Sequence, residues 1–448
     1  MSLLCLKGSL ILLQDYKLIF GLGATGLSCA QFFESKGLNY TIIDDNPSPK
    51  RLASLRKINP DVSFCRPNSE IILGASEIVV SPGVALSNPC LVEASKLDIP
   101  VTGDVAMFGQ LANAPMVAIT GSNGKSTVTA MLGHLASCQS AGVFVGGNIG
   151  KPCLDVLTEL AKLYILEVSS FQLELATNLP TVASVVLNLS PDHLDRYNSL
   201  DDYYEVKGNV YQNCETAIIN RQLQWDYSIP TESSSISFGQ DKPKSLGDFG
   251  IIDGVIHQGR TKLISQEQLP LGGAHNVSNC MAALALGTAV GLEMASMLED
   301  LKSFRGLPHR CELVKKINDV TFYNDSKATN IASCEAAIRS FAVGRNIILL
   351  LGGVSKETGF SDLSPLVKAF VKKLIAFGEA REEISETLGE FCDLERCTTL
   401  ARAVTLAKKS AKPRDIVLFS PACASFDMFE DYRARGDAFK SLVYRYSP

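Results

Sequence analysis

The chain is poor in the residues that mark several functional classes. It holds one tryptophan and five histidines in 448 residues. None of the histidines sits in an H-E-x-x-H or Cys/His spacing, which argues against a zinc centre. No apolar run approaches the roughly 20 residues that cross a bilayer, and Ser9–Leu13 is too short for a signal-peptide core. Basic excess is missing too: 42 Lys and Arg against 47 Asp and Glu leave a net charge of −5, the wrong sign for a nucleic-acid footprint. Thirteen cysteines are many, yet none forms a C-x-x-C pair. Their odd number favours free thiols in a reducing cytoplasm. The absences together predict a soluble, cytoplasmic protein with neither nucleic acid nor membrane as partner, and leave room for a local cationic pocket that takes an anionic small molecule.

Hydrophobic residues make up 46% of the chain and charged residues 20%, ordinary for a globular protein, and the length suits about three domains. Apolar runs alternate with amphipathic stretches in three regions. Strands are expected at Lys17–Phe20, Tyr40–Ile43 and Glu77–Val80, with a helix at Ala24–Lys36. A second region starts near Met116 and continues through Leu163–Leu166 and Ala183–Leu187. Its polar Ser228–Gly247 passage reads as an insertion or edge sheet, and helical periodicity resumes at Val277–Val290. The third has strands at Asn346–Leu351, Leu374–Phe377 and Asp415–Phe419, with a helix at Ala401–Ala411. This alternation predicts an α/β protein with parallel sheets.

The most informative motif is Ile119-Thr-Gly-Ser-Asn-Gly-Lys-Ser-Thr127, set between an apolar strand and a helix. Converging backbone N–H groups and a helix N-terminus suit a phosphate chain there. Lys125 can reach terminal phosphates, and the Ser126 or Thr127 hydroxyl can hold Mg²⁺. The usual first glycine is replaced by Ile119, so a shorter loop carrying only Gly121 and Gly124 is expected.

Gly21-Leu-Gly-Ala-Thr-Gly26 follows a strand, and Asp44 ends the next one, the dinucleotide-fold fingerprint in its proper context. NAD, another nucleotide and a purely structural turn all remain open on that motif alone. Ser81-Pro-Gly83 can add N–H donors at the same sheet edge. Glu167 ends a strand where an acid could reach a Mg²⁺ near Ser126. His193 lies between two acids in Asn188–Asp195, and such a loop histidine is more often structural than a ligand. Lys207, on an amphipathic helix, is by default a solvated charge. Asn276 and Asn279 share one helical face, Arg310 is delivered by a turn, and Asn324–Thr329 packs an acid, a base and two hydroxyls together.

In this order the motifs resemble one family closely, the ATP-dependent Mur ligases of peptidoglycan synthesis. The resemblance rests on Thr120–Thr127, Glu167-Val-Ser-Ser-Phe-Gln172, Ser190-Pro-Asp-His-Leu-Asp195, Lys207, His275-Asn276 with Asn279, Leu307–Arg310 and Asn324–Thr329, and it covers essentially the whole chain. The N-terminal G-L-G-x-T-G, the E-V-S-S-F-Q-L run and Ser420-Pro-Ala-Cys-Ala-Ser-Phe-Asp427 resemble the member that adds D-glutamate.

The resemblance implies three domains: a Rossmann-like one over 1–103 for the UDP-sugar, a central P-loop-type ATPase over 104–306, and a Rossmann-like one over 307–448 for the amino acid. It implies that Gly23, Ala24, Thr25, Asp44, Ser81 and Gly83 cradle the uridine diphosphate, with Asn148 and Ser169 on the same substrate. Gly121, Asn123, Gly124, Lys125, Ser126 and Thr127 would hold ATP, completed by Asn279, Arg310 and Asp325. Ser126 and Glu167 would serve one Mg²⁺, and His193 with an N6-carboxylated Lys207 a second. Lys125, His193, Lys207 and Lys327 would be catalytic. Lys327, Thr329, Lys356, Ser425 and Tyr432 would meet D-glutamate. Tyr432 stands where the family usually has phenylalanine, and Asp45 where threonine is often found.

The implied reaction joins D-glutamate to UDP-N-acetylmuramoyl-L-alanine through an acyl phosphate, on a monomeric enzyme. A sister ligase acting on another amino acid or on folate is the nearest competitor. An NAD-dependent oxidoreductase would leave Lys125 unexplained, and a nucleotide-binding regulatory protein would hydrolyse ATP without regard to amino acids.

Overall fold

Short apolar runs closed by glycine, proline or aspartate become buried parallel strands. The computed structural model describes residues 16–192, 196–271, 273–355 and 359–445, together with the backbone of 3–6 and 9–12. Two compact units result, Met1–Ile264 with Asn279–Leu301, and Ser265–Ser278 with Lys302–Pro448.

Within the first unit, Tyr16–Phe20 is the middle of an all-parallel sheet ordered Ser63–Cys65, Tyr40–Ile43, Tyr16–Phe20, Ala75–Val80, Val101–Gly103. The chain leaves Tyr16–Phe20 to one side and later returns to the other. The carboxyl end of that strand is therefore a switch point, where an open α/β sheet forms its crevice. The Gly21–Gly26 turn occupies it, followed by the helix Ala24–Ser35.

A second sheet has nine strands, with Met116–Thr120 between Thr181–Val186 and Leu163–Glu167. Every residue of Met116–Thr120 and Leu163–Glu167 is buried, which is why both read as unbroken apolar runs. The polar Ser228–Gly247 passage contributes Ser234–Phe238, paired parallel to Cys214–Asn220, and leads into the antiparallel hairpin Phe249–Ile252 and Val255–Gln258. One hydrophobic cluster joins the two sheets' layers: Leu22, Cys29 and Phe33 pack in the same core as Phe108, Cys153, Leu154 and Leu173.

The second unit is built on six strands, ordered Glu312–Ile317, Val320–Asn324, Ile416–Phe419, Ile347–Gly352, Val371–Phe377, Asp393–Cys397. All pair parallel except Glu312–Ile317, which runs antiparallel. Three strands escape the sequence reading, Glu312–Ile317, Val320–Asn324 and Asp393–Cys397. The first and last are edge strands, partly exposed and rich in charge, and Val320–Asn324 alternates buried with half-buried residues, so no apolar run announces any of them. Among the described residues no helix is long and apolar enough to cross a membrane.

Candidate active site

The strand Met116–Thr120 ends at Gly121, and the helix Lys125–Gln139 begins after Gly124. Ile119 is buried inside the strand, so the loop is the short form expected from its missing first glycine. Gly121 has φ +145° and Gly124 φ +83°, conformations that favour glycine. A Cβ on Gly124 would also sit 2.6 Å from Asn279 Oδ1. Asn188 fixes the loop as a strand neighbour would: Asn123 N donates to its Oδ1 and its Nδ2 donates to Asn123 O, both at 2.8 Å. Ser122 Oγ accepts from Ser190 N at 2.9 Å and donates to Ser190 O at 3.0 Å. The Lys125 ammonium folds over the turn, donating to Gly121 O and Ser122 O at 2.8 Å each. Ser126 and Thr127 are buried at the helix start. The helix end and its amides make this turn a seat for an anion.

Glu167, Asn148 and Lys207 gather beside it. Glu167 is 3% exposed, and its Oε1 accepts from Asn148 Nδ2 at 2.8 Å. Its Oε2 is buried with no hydrogen-bond partner. A carboxylate oxygen held from water without a donor is costly unless a cation meets it. A carboxylate oxygen of this kind is a hard donor of the type that Mg²⁺ prefers.

Lys207, expected by default at the surface, is 1% exposed in the helix Leu200–Gly208. Its Nζ donates to Gly121 O at 3.1 Å and lies 4.6 Å from the Tyr203 ring centre. Burial, with the Lys125 charge adding to it, holds the Lys207 pKa well below the usual lysine value, against the pull of Asp192 and Glu167. Burial therefore favours the free amine. Next to Tyr203, Tyr204 meets Trp225 edge-on at 5.4 Å. His193 lies outside the described residues.

At the five-stranded sheet the Gly21–Gly26 turn is closed by contact. A Cβ on Gly26 would fall 2.0 Å from Gly21 O, and Gly21 has φ +96°. Ser81 Oγ donates to Gly21 O at 2.8 Å. Asp44 braces the turn, its Oδ2 accepting from Leu22 N at 2.6 Å and its Oδ1 from Asn46 N at 2.8 Å. Gly23 precedes the helix whose first residues are Ala24 and Thr25. Around Gly83 a Cβ would meet nothing within 4 Å, so that side of the loop is open. Ser169 caps the helix Ser170–Leu173 in a reciprocal pair with Gln172, whose amide reaches the buried Asp104.

The sequence assigns no role to two residues here. Asn188 lies in a motif without a function of its own, and Arg196 lies outside every motif, yet its guanidinium pairs with Glu174 and donates to Pro82 O and Val84 O.

In the second unit Asp325 is 6% exposed and accepts from Cys311 N at 3.1 Å and Ser420 Oγ at 2.7 Å. Burial pushes its pKa up to about 6, against the lowering pull of those donors and of Arg310. Lys327 Nζ lies 4.3 Å from the centre of the Tyr432 ring, so these two predicted residues meet. Ser425 is buried, and its neighbours Cys423 and Ala424 are held through their carbonyls by Arg435, itself 0% exposed. Arg435 also donates to Ser326. Thr329 is half-buried just before the helix Ile331–Phe341, and Lys356 lies outside the described residues.

Comparison with known proteins matches each of these regions. The MurD-like N-terminal domain of Mur ligases fits residues 15–103, the Mur ligase middle domain 119–287, and the Mur ligase glutamate ligase domain 309–423. The UDP-N-acetylmuramoylalanine–D-glutamate ligase of Hahella chejuensis is 41% identical over 442 residues, covering 97% of this chain and 99% of its own. That of Nitrosococcus oceani is 42% identical, covering 95% of each. Among solved structures, the UDP-N-acetylmuramate-alanine ligase of Thermotoga maritima shares the fold at a TM-score of 0.60 and 18% identity, over 96% of this chain and 99% of that one. Matched from its first sheet to its third, the chain belongs to the Mur ligase family.

Proposed function

We propose that this enzyme forms the amide between UDP-N-acetylmuramoyl-L-alanine and D-glutamate, consuming ATP. The observation that carries the reading is the buried Lys207 amine beside Gly121 O and behind a Gly-Lys-Ser phosphate loop, in a chain about 40% identical to ligases of that name.

A carboxylate is a poor electrophile, so it must be activated. Its oxygen takes the γ-phosphoryl group of ATP, giving an acyl phosphate and ADP. The D-glutamate amine then attacks the acyl carbon, loses a proton, and phosphate leaves from the tetrahedral intermediate. The helix N-terminus that opens after Gly124 receives the phosphates, and Lys125 exchanges its bonds to Gly121 O and Ser122 O for phosphate oxygens. Asn279, Arg310 and Asp325 complete nucleotide binding, and Lys327 offsets charge on the transferring group.

Ser126 and the bare Oε2 of Glu167 fit one Mg²⁺; His193 and Lys207 are assigned to a second. Bound there, Mg²⁺ would polarise the phosphoryl oxygens and offset their charge. The Lys207 amine is suited to carbamylation: its nitrogen bonds to the carbon of CO₂, a proton leaves to solvent, and an anionic oxygen ligand results.

Gly23, Ala24, Thr25, Asp44, Ser81 and Gly83 take the uridine diphosphate, and Asn148 and Ser169 the rest of that substrate. Thr329, Lys356, Ser425 and Tyr432 take D-glutamate. The enzyme is assigned to the cytoplasm as a monomer; all twelve cysteines whose side chains are described are free, as a reducing compartment would keep them.

The test is ADP release in the presence of UDP-N-acetylmuramoyl-L-alanine, measured across a panel of amino acids. D-glutamate should support release at least tenfold above every other. Release driven equally by another amino acid would reassign the enzyme to a sister ligase.

A further inference from the structure

Arg196 makes more polar contacts than a stabilising surface ion pair requires. Its side chain is 11% exposed and that of Glu174 is 10% exposed. The pair is a two-point one, Nε to Oε1 at 3.1 Å and Nη2 to Oε2 at 2.6 Å. The guanidinium stacks on Phe171 at 4.2 Å. Its remaining capacity goes to the loop after Ala75–Val80: Nη1 donates to Pro82 O at 2.8 Å and Nη2 to Val84 O at 3.2 Å.

Those two carbonyls fix the direction of the loop's amides. A trans peptide sets a C=O and the following N–H on opposite sides of its plane. With the Pro82 and Val84 carbonyls turned to Arg196, the Gly83 and Ala85 N–H groups are turned away from it. The space at Gly83 is open. The same loop carries Ser81, whose hydroxyl holds Gly21 O at the mouth of the glycine turn. Val84 N also donates back to Ser81 O at 2.9 Å, which closes the loop on itself.

We propose that Arg196, backed by Glu174, is a positioning residue for the UDP-sugar: it aims the amides of the Ser81–Ala85 loop at the diphosphate. This rests on the UDP-sugar reading above. Arginine is needed because one planar fork must serve two carbonyls and a carboxylate together, which a lysine ammonium on a flexible stem does not reproduce.

The test uses Arg196→Lys in the full chain. The KM for UDP-N-acetylmuramoyl-L-alanine should rise about tenfold or more, as for a lost charge-assisted bond. The KM for ATP and kcat should stay within about threefold. Calorimetric titration with UDP alone should show the same loss, which does not depend on turnover. Glu174→Gln keeps the side-chain volume and should shift both readouts in the same direction by a smaller factor; it replaces the first variant if that one melts far below the wild type. An unchanged UDP affinity in a folded variant overturns the assignment, as does a parallel rise in both KM values. D-glutamate-independent ADP release by the wild type would instead sink the ligase reading, whatever UDP binding does.

Discussion

Arg435 grips Ser326 at two points, its Nε donating to the hydroxyl at 3.0 Å and its Nη2 to the carbonyl at 2.8 Å. The third arm, Nη1, donates to Cys423 O and Ala424 O at 3.0 and 3.1 Å. One buried guanidinium therefore sets the spacing between the loop of Asp325 and Lys327 and the loop of Ser425. Arg435→Lys leaves several of these acceptors unpaired, and should cost about 3 kcal/mol of stability. It should also raise the KM for D-glutamate. Denaturant unfolding with steady-state kinetics checks both, and an unchanged unfolding midpoint would refute the claim.

For Lys207 the expected result is a loss of turnover without a loss of sugar binding. Lys207→Ala should lower kcat by at least about a hundredfold, the scale of losing one charge-stabilising group, while UDP-sugar affinity stays within about threefold. Carbamylation adds a second signature: activity of the wild type should fall when dissolved CO₂ is stripped and return on adding bicarbonate. Normal turnover in the alanine variant contradicts the role.

Gly124→Ala tests the phosphate loop. The added methyl meets Asn279 at 2.6 Å and forces an alanine to φ +83°. A strain of about 1–2 kcal/mol follows. The KM for ATP should rise about tenfold or more, with UDP affinity unchanged. A variant with wild-type KM for ATP would show that the loop accommodates a side chain.

Asp325 predicts a pH effect of definite sign. Its folded pKa of about 6 lies above the roughly 3.9 of an unfolded aspartate. The protonated form is therefore favoured by folding. The resulting stability is complete below about pH 4 and is lost as pH rises through about 6, on the order of 3 kcal/mol in all. Asp325→Asn removes this slope and leaves a constant offset from its amide. Wild-type stability relative to the variant should thus fall between pH 4 and pH 7, as thermal melts at several pH values would show. A flat difference would contradict the shift.

Apolar runs such as Ile347–Gly352 and Met116–Thr120 announce themselves because parallel strands are covered on both faces. The glycine turns are equally plain, since Gly21, Gly26, Gly121 and Gly124 answer to local contacts or to φ. The environment of Lys207 is different. Its helix reads as amphipathic, and only packing decides that Tyr203 and Lys207, four residues apart, form the buried face. That spacing was the available signal. Arg196 and Asn188 lay beyond reach for another reason: their partners, Pro82 and Asn123, are 114 and 65 residues away in sequence. The one complementary side chain of Arg196, Glu174, is 22 residues away, and the two backbone carbonyls that Arg196 also holds leave nothing in the sequence to read.

The edge-on contact of Trp225 with Tyr204 has a practical consequence. The chain has a single indole, and it rests on the helix that carries Lys207. Tryptophan emission, excited beyond the tyrosine absorption band, thus comes from one place. Changes in emission on adding nucleotide or bicarbonate would follow the Lys207 helix directly, in the unlabelled native protein.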